Sequence, residues 1–200
     1  RFRDVFAKSG YVAHHLVCLL FMLALTIIGT VGWLSPAGSS AAVRLGVTHT
    51  FPAVRWLSAA LLGMCLFWDL PSCLIIPKLR NGVMFGHHLA MAVTSLLGIV
   101  WLPMHYGFFY FGISEASTLP LIACELASHV HDSIDDAVEG DEAPDMAGLL
   151  RSQWMLDALA AFRDVSQVIF AIAFLFVRGW MFTRITFGSY LADMRAVLSP

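Results

Sequence analysis

Charged side chains are scarce in this sequence. Asp, Glu, Lys and Arg make up only 13% of its 200 residues, whereas an ordinary soluble domain has about a quarter. Apolar residues instead reach 58%, and the mean hydropathy is +0.75. Because so few side chains favour water, the composition argues against a soluble globular protein.

Other features that would indicate particular partners are also missing. The formal net charge is only −2, and no basic patch with interleaved aromatic residues occurs, which argues against nucleic acid as a partner. The cysteines stand singly in apolar segments without a CxxC pair, which argues against zinc ligands or a disulfide framework: Cys18, Cys65, Cys73 and Cys124. Since the chain begins at Arg1 rather than Met, the lack of a targeting segment excludes no compartment.

Long hydrophobic stretches are present instead. A helix needs about 20 residues to cross a hydrocarbon layer of roughly 30 Å, and five stretches approach or exceed that length. They predict membrane spans at about residues 11–33, 52–76, 83–102, 106–127 and 165–187. An amphipathic segment at 149–164 and the tail from 188 suit additional surface helices. We therefore expect an all-α fold, a polytopic transmembrane helix bundle of five to seven helices.

One segment is too polar to lie in lipid. Seven acidic residues fall within residues 132–145: Asp132, Asp135, Asp136, Glu139, Asp141, Glu142 and Asp145. We expect an acidic solvated loop at about 128–148, which would also hold His129 and His131. No repeat or second domain is evident, so residues 1–200 are predicted to form a single domain.

The few ionisable residues inside the predicted spans are the first candidates for a functional site. A buried charge in a bilayer is costly unless it faces a cavity or a partner. Asp69, His87, His88, Glu115 and Arg178 are such residues. Since they lie on spans two to five, we expect these spans to surround a common polar pocket.

The adjacent histidines suggest acid–base chemistry rather than metal binding. His87 and His88 point about 100° apart around the helix axis, and no ligand lies three or four residues from them, so no metal site and no cofactor is predicted. Either histidine could act as a general base oriented by Asp69 or Glu115. Alternatively, both are neutral residues held by interhelical hydrogen bonds. His14 and His15 repeat the pattern near the start of span one, where an interfacial position is expected.

The segment from Ser114 to Pro120 predicts a kinked helix with an exposed acid. Pro120 frees a carbonyl one turn earlier, which Ser117 or Thr118 can help to solvate. These two hydroxyls and Arg178 are candidates for lining a lipid pocket. The alternative for the hydroxyls is ordinary helix packing, and for Arg178 it is a snorkelling anchor at a helix end.

These features, in this order, resemble the TLC domain family of membrane proteins, which includes the ceramide synthases. The resemblance lies in Phe67-Trp68-Asp69-Leu70, in Met84-Phe85-Gly86-His87-His88-Leu89, in Tyr106-Gly107, in Glu115-Ala116-Ser117-Thr118 before Pro120, and in Phe174-Leu175-Phe176-Val177-Arg178. Met91 stands where ceramide synthases have the threonine of their His-His-x-x-Thr motif. The Glu115 segment also replaces their aspartate-rich motif. The resemblance is therefore closer to members that are not ceramide synthases.

The resemblance implies lipid binding or lipid chemistry in an integral membrane protein, without indicating the organelle. The main expectation is a lipid-binding or membrane-organising protein, or an accessory subunit of a larger membrane assembly. Its partners would be membrane lipids and other membrane-protein subunits. The alternative is a lipid-modifying, acyltransferase-like enzyme with His87, His88, Asp69 and Glu115 as catalytic candidates. That alternative requires a histidine that lines a lipid-accessible cavity within reach of an acid.

Overall fold

The computed structural model is all α-helical in the part of the chain that it describes. The backbone is described for residues 2–35, 40–100, 104–139 and 153–199, and the side chains for 9–35, 40–100, 104–133 and 154–199. No β-strand occurs in these ranges. The predicted all-α bundle is confirmed.

Regular helices alternate with tighter and wider turns along the chain. The α-helices are α1 (Phe2–Trp33), α2 (Ala41–Arg44), α3 (Pro52–Met64), α4 (Leu70–Ile75), α5 (Gly82–Val100), α6 (Gly107–Tyr110), α7 (Thr118–Glu139), α8 (Gln153–Phe174) and α9 (Leu191–Leu198). Turns of π-helix lie at Cys65–Asp69, Leu175–Met181 and Arg184–Tyr190, and 3-10 turns lie at Pro77–Leu79 and Ile113–Ser117. The π turns continue the helices on either side of them, so α3 runs into α4 and α8 runs into α9.

Five of the described helical segments are long and apolar enough to cross a membrane. They are span one (Ser9–Trp33), span two (Pro52–Ile75), span three (Gly82–Val100), span four (Gly107–Ser133) and span five (Trp154–Leu198). Residues 154–198 form one continuous helix. The sequence predicted separate elements there, namely the amphipathic segment, the fifth hydrophobic stretch and the tail. The number of spans in the described residues is therefore five, the lower end of the predicted range of five to seven helices.

The first part of the predicted acidic loop is helical. Residues 128–139, expected in the solvated loop, form the C-terminal half of α7, and His129 is buried. The physical reason is tertiary packing, because α7 and α8 pair as a long antiparallel hairpin that extends beyond the apolar part of span four. Residues 140–148 lie outside the described residues.

Span four is the central element of the bundle. It packs against span one on one side and span five on another, while span three packs mainly on span two. The start of span four approaches span one very closely, because a Cβ on Gly29 would lie 2.6 Å from the Cα of Gly112. Small residues permit such backbone contact between helices. Around it lies an apolar core that includes Leu25, Val54 and Phe111.

Candidate functional site

The ionisable residues predicted to form a site on spans two to five lie in two separate clusters. Glu115 and Arg178 meet between spans four and five, and Asp69 and His88 meet where spans one, two and three converge. Among the described residues, no hydrogen bond or ion pair joins one cluster to the other. The prediction that these residues share one pocket is therefore wrong. Four of the five nevertheless form two pairs, Asp69 with His88 and Glu115 with Arg178.

The first cluster is a buried ion pair. The Arg178 Nη2 lies 3.3 Å from both carboxylate oxygens of Glu115, and its Nε donates to the Ser117 Oγ at 3.2 Å. The Glu115 side chain is only 3% exposed, and that of Arg178 is 25% exposed. Since Glu115 offsets the charge of Arg178, the pair carries no net charge into the apolar interior. Arg178 is thus fixed in the bundle rather than snorkelling freely.

Hydroxyl groups complete the hydrogen bonding of Glu115. The Thr118 Oγ1 donates to its Oε2 at 3.0 Å, and the Ser114 Oγ lies 3.4 Å from its Oε1. The Ser117 Oγ also donates to the carbonyl of Ser114. The 3-10 turn at Ile113–Ser117 brings these groups together on one side of the helix. Ser117 and Thr118 were predicted to line a pocket. They instead form hydrogen bonds with the ion pair, Ser117 with Arg178 and Thr118 with Glu115.

A cavity of about 500 Å³ lies directly beside this ion pair. Its walls come from span three (Met91, Thr94), from span four and the residues before it (Met104, Gly107, Tyr110, Phe111, Ser114, Glu115) and from span five (Arg178, Phe182, Thr186, Tyr190). The volume falls within the range of small-molecule and cofactor sites, about 300–1,000 Å³. Most of the wall is apolar or aromatic, with Arg178 and Glu115 as its charged groups.

The cavity reaches the outer surface of the bundle. Thr94 and Phe182, which both line it, are exposed, and they belong to spans three and five, which pack on different neighbours. The cavity is therefore open rather than enclosed, and both exposed residues lie within the apolar length of their spans. Tyr110 braces the wall through a 2.8 Å hydrogen bond with Thr186. Neither residue stood out in the sequence, because neither is ionisable near neutral pH.

The second cluster surrounds Asp69, which is 1% exposed. The His88 Nδ1 lies 3.4 Å from its Oδ2, and the Cys18 Sγ lies 3.7 Å from its Oδ1. His14 lies on the other side of Cys18, with its Nε2 3.5 Å from the sulfur. The grouping of Cys18 and His14 with Asp69 was not predicted, although their spacing of four residues places both on one face of span one.

The two adjacent histidines differ in position as their helical geometry predicts. His88 is partly buried beside Asp69, whereas His87 is exposed on the outer face of span three. Their rings meet edge to face at 5.5 Å. Neither histidine belongs to the wall of the cavity, and neither does Asp69. A general base in these positions would not face a ligand held in that cavity.

A third polar group lies at the end of the bundle that carries the turn between spans two and three. Tyr11 donates to the Glu125 carboxylate at 2.8 Å, and its ring packs on those of His15 and His129. Lys78 lies 4.8 Å above the same ring. His15, expected at an interface, is 8% exposed because Tyr11 covers it.

The opposite end of the bundle has its own clamp. Asp193 accepts hydrogen bonds from the Arg44 guanidinium at 2.5 and 2.6 Å and from the Tyr106 hydroxyl at 2.6 Å. The hydrogen bond to Asp193 raises the pKa of Arg44 above its usual range, and burial raises the pKa of Tyr106 to about 12. These contacts tie the connection between spans one and two to the end of span five.

No family model, curated protein or solved structure matches the chain. Inference about its function therefore starts from the cavity, its ion pair and the apolar surface around them.

Proposed function

We propose that this chain is an integral membrane protein of the TLC type that binds a lipid in the cavity between spans three, four and five. The cavity of about 500 Å³ beside the Glu115–Arg178 pair is the observation that carries the proposal. A mainly apolar wall with a few convergent polar groups is the usual make-up of a ligand site. An opening beside the exposed residues Thr94 and Phe182, within the apolar length of spans three and five, would give a lipid direct access from the bilayer.

The membrane setting is supported by the surface of the bundle. Large apolar side chains are exposed along the outer faces of the spans, as at Leu20, Val31 and Leu175. Exposed apolar area on this scale is unfavourable in water but is normal where lipid is the solvent. Five helices of sufficient length and hydropathy agree with that setting.

Arg178 supplies the polar end of the proposed lipid site. A guanidinium has five N–H donors, and its Nε and Nη2 are engaged by Ser117 and Glu115. Its Nη1 makes no hydrogen bond to the described residues, so two donors are available beside the cavity. Because Glu115 already offsets the charge, the site favours an uncharged oxygen acceptor, such as the ester carbonyl of a glycerolipid, over a free carboxylate.

The two other functions expected from the sequence receive less support. An acyltransferase-like enzyme would use a histidine facing the bound lipid, but His87 and His88 lie outside the cavity wall. An accessory subunit would need a partner on the exposed apolar faces of spans one and five, such as the face around Ile27 and Ile172. Lipid alone could cover those faces equally well.

Lipid retention in a purified sample tests the proposal. The protein is extracted in mild detergent and its bound lipids are identified by mass spectrometry, comparing the wild type with Thr94→Trp, which fills the cavity. Val93→Trp is the matched control, because Val93 is the neighbouring residue, is exposed and does not line the cavity. We expect an ester lipid at about one per chain in the wild type and the control, and a loss of at least about tenfold in Thr94→Trp.

Two results would overturn the proposal. One is equal retention in Thr94→Trp and Val93→Trp. The other is a wild-type protein with no retained lipid above the detergent background but with a stoichiometric protein partner, which would favour the accessory subunit.

A further inference from the structure

Three carboxylates are buried in the described part of the bundle, and two of them have a cationic partner. Glu115 faces the guanidinium of Arg178, and Asp193 faces that of Arg44. Asp69 is the most deeply buried of the three at 1% exposed, yet it contacts no arginine or lysine among the described residues. A buried charge without a counter-charge is costly, and more so in a membrane. Asp69 is therefore the carboxylate that lacks a cation.

The contacts that Asp69 does make are weak. Its Oδ1 accepts a hydrogen bond from the Cys18 thiol at 3.7 Å, and a thiol is a weak donor. Its Oδ2 makes no hydrogen bond to the described residues, because the His88 Nδ1 at 3.4 Å is not aligned to donate to it. A buried carboxylate oxygen without a partner is unfavourable. A cation bound beside Asp69 would supply what these contacts do not.

Two other metal-ligating side chains lie beside Asp69, and all three residues are buried. The His14 Nε2 lies 3.5 Å from the Cys18 Sγ, and that sulfur lies 3.7 Å from the Asp69 Oδ1. Zinc bonds of about 2.0–2.3 Å place the ligands of a tetrahedral ion about 3.3–3.7 Å apart, so these two distances already fit. Since the ligand atoms all lie within 4.8 Å of one another, the distance from His14 to Asp69 needs to shorten by at most about 1.5 Å.

We propose that His14, Cys18 and Asp69 bind one Zn²⁺ ion that joins span one to span two. Imidazole, thiolate and carboxylate are all zinc ligands, and three protein ligands with a fourth position left for water or another small ligand is an established zinc arrangement. The proposal is independent of lipid binding, because none of the three residues lines the cavity.

The charges of these three ligands balance the charge of the ion. Zn²⁺ with a neutral imidazole, one thiolate and one carboxylate carries no net charge, which suits a site with little access to water. Binding releases the thiol proton of Cys18. The weak hydrogen bond between Cys18 and Asp69 is then replaced by coordination of both groups to the ion.

Local structure presents the ligands from two helices. His14 and Cys18 are four residues apart on α1 and so share a face, the spacing of paired ligands on a helix that bind one ion. Asp69 is the last residue of the π turn at Cys65–Asp69. The site therefore needs only one side chain from span two to complete the pair on span one.

His88 contacts the carboxylate from the other side. With the Asp69 Oδ1 on the ion, its Oδ2 faces the His88 Nδ1 at 3.4 Å, and a small rotation of the ring would allow a hydrogen bond. Such a bond orients a ligating carboxylate, and loss of the partner typically costs 10–100-fold in metal affinity. His88 is thus a positioning residue, and His88→Ala should weaken binding by about that factor without abolishing it.

A second group of three side chains shares the same carboxylate. Ligand atoms of Cys65, Asp69 and His88 also lie within 4.8 Å of one another. Cys65 makes no hydrogen bond to Asp69 or His88 in the described part of the chain, whereas Cys18 contacts both of its proposed co-ligands. The measured contacts therefore favour the group on spans one and two, and the two cysteines provide the variants that separate the groups.

Metal content and cobalt spectroscopy test the site on the full, untagged chain. After extraction in mild detergent and washing with a weak chelator, we expect about one zinc per chain by elemental mass spectrometry. Replacement by Co²⁺ should give a thiolate-to-cobalt charge-transfer band. That band should be lost in Cys18→Ser, and bound metal should fall at least about tenfold in His14→Ala and in Asp69→Asn.

The chain offers a matched control for each residue type. Cys65→Ser should keep both the metal and the charge-transfer band, and so should Cys124→Ser. His15→Ala changes the histidine next to His14, outside both groups, and should keep the metal as well. Monodispersity in size-exclusion chromatography checks that each variant is folded.

Three outcomes would overturn the proposal. The first is wild-type protein without zinc that also gives no charge-transfer band when Co²⁺ is added, a result that does not depend on any variant being folded. The second is a band that survives Cys18→Ser but is lost in Cys65→Ser, which would place the ion in the second group. The third is equal metal content in the wild type and in the variants of His14, Cys18 and Asp69, which would show adventitious binding elsewhere.

Discussion

Breaking the Glu115–Arg178 pair from one side should destabilise the bundle much more than removing both charges. In Arg178→Met the side chain keeps an unbranched, helix-compatible shape, but Glu115 loses its two contacts with Nη2 at 3.3 Å. The carboxylate is then held only by the hydroxyls of Thr118 and Ser114. In Glu115→Gln the guanidinium is left without its counter-charge.

The magnitude follows from burial. Removing one partner of a buried ion pair costs about 3–5 kcal/mol, whereas exchanging both for neutral groups is near neutral. The 25% exposure of the Arg178 side chain reduces the cost of each single change to just below that range, so we expect about 2–3 kcal/mol for each. The double variant Arg178→Met/Glu115→Gln should lie within about 1 kcal/mol of the wild type, giving a coupling energy of about 3–6 kcal/mol.

Reversible unfolding in mixed micelles provides the measurement. The mole fraction of denaturing detergent is raised while the fluorescence of the six tryptophans is followed. Arg184→Met is the matched control, because Arg184 is exposed and lies 5.3 Å from the Trp180 ring, an arrangement whose loss should cost below about 1 kcal/mol.

The same double variant separates stability from lipid binding. It keeps the fold but lacks the Nη1 donors beside the cavity, so we expect normal unfolding together with reduced lipid retention. Additive losses, with the double variant about 5 kcal/mol less stable than the wild type, would show that the two groups do not act as a buried pair. A single variant within about 0.5 kcal/mol of the wild type would refute the burial argument itself.

Three further perturbations test other parts of the structure. Burial lowers the pKa of His105 from 6.5, so the unfolded chain takes up the proton first. The contribution of neutral His105 to stability is fully present above about pH 6.5, and stability should fall by up to about 1.4 kcal/mol per pH unit below it. His105→Phe should reduce that slope in unfolding titrations. An unchanged slope would contradict a lowered pKa for His105. Asp193→Asn weakens the clamp on Arg44, which is partly exposed, so we expect a loss of about 1–2 kcal/mol in thermal unfolding; no loss would mean that the clamp is not formed. Gly29→Ala places a methyl 2.6 Å from the backbone of span four and should cost at least about 1–3 kcal/mol. Gly63→Ala, where no atom lies within 4 Å, should instead stabilise by about 0.5–1 kcal/mol, and equal effects of the two changes would contradict the close approach.

The spans could be predicted from the sequence because length and hydropathy act locally. A stretch such as residues 83–102 is apolar throughout, and in lipid its backbone can be satisfied only within a helix or a closed barrel. The continuation of α7 to Glu139 could not be predicted in this way. Those residues are as polar as a loop, and their helix is decided by pairing with α8, a tertiary contact that local composition does not record.

The ionisable residues were predicted from the free-energy cost of placing a charged side chain in a membrane. That cost identifies candidate residues but does not show which of them contact each other. Asp69, His88, Glu115 and Arg178 were expected to be functional because each is expensive in a membrane, and all four do lie in polar clusters. The sequence could not say that they form two clusters. His14 and Cys18 were missed because the four-residue spacing rule was tested only from the histidines of span three, although span one also satisfies it.

The separation of the two clusters has a cause in the helices themselves. Asp69 and Arg178 lie in π turns, at Cys65–Asp69 and Leu175–Met181, and Glu115 lies in a 3-10 turn, at Ile113–Ser117. Each such turn rotates every residue after it relative to a regular period of 3.6. A face assigned by that period is therefore wrong by a fraction of a turn at the positions where charges occur. Because π turns recur at functional sites, the presence of Asp69, Glu115 and Arg178 in three of the five described irregular turns is an argument that these positions were shaped for a ligand and not for packing alone.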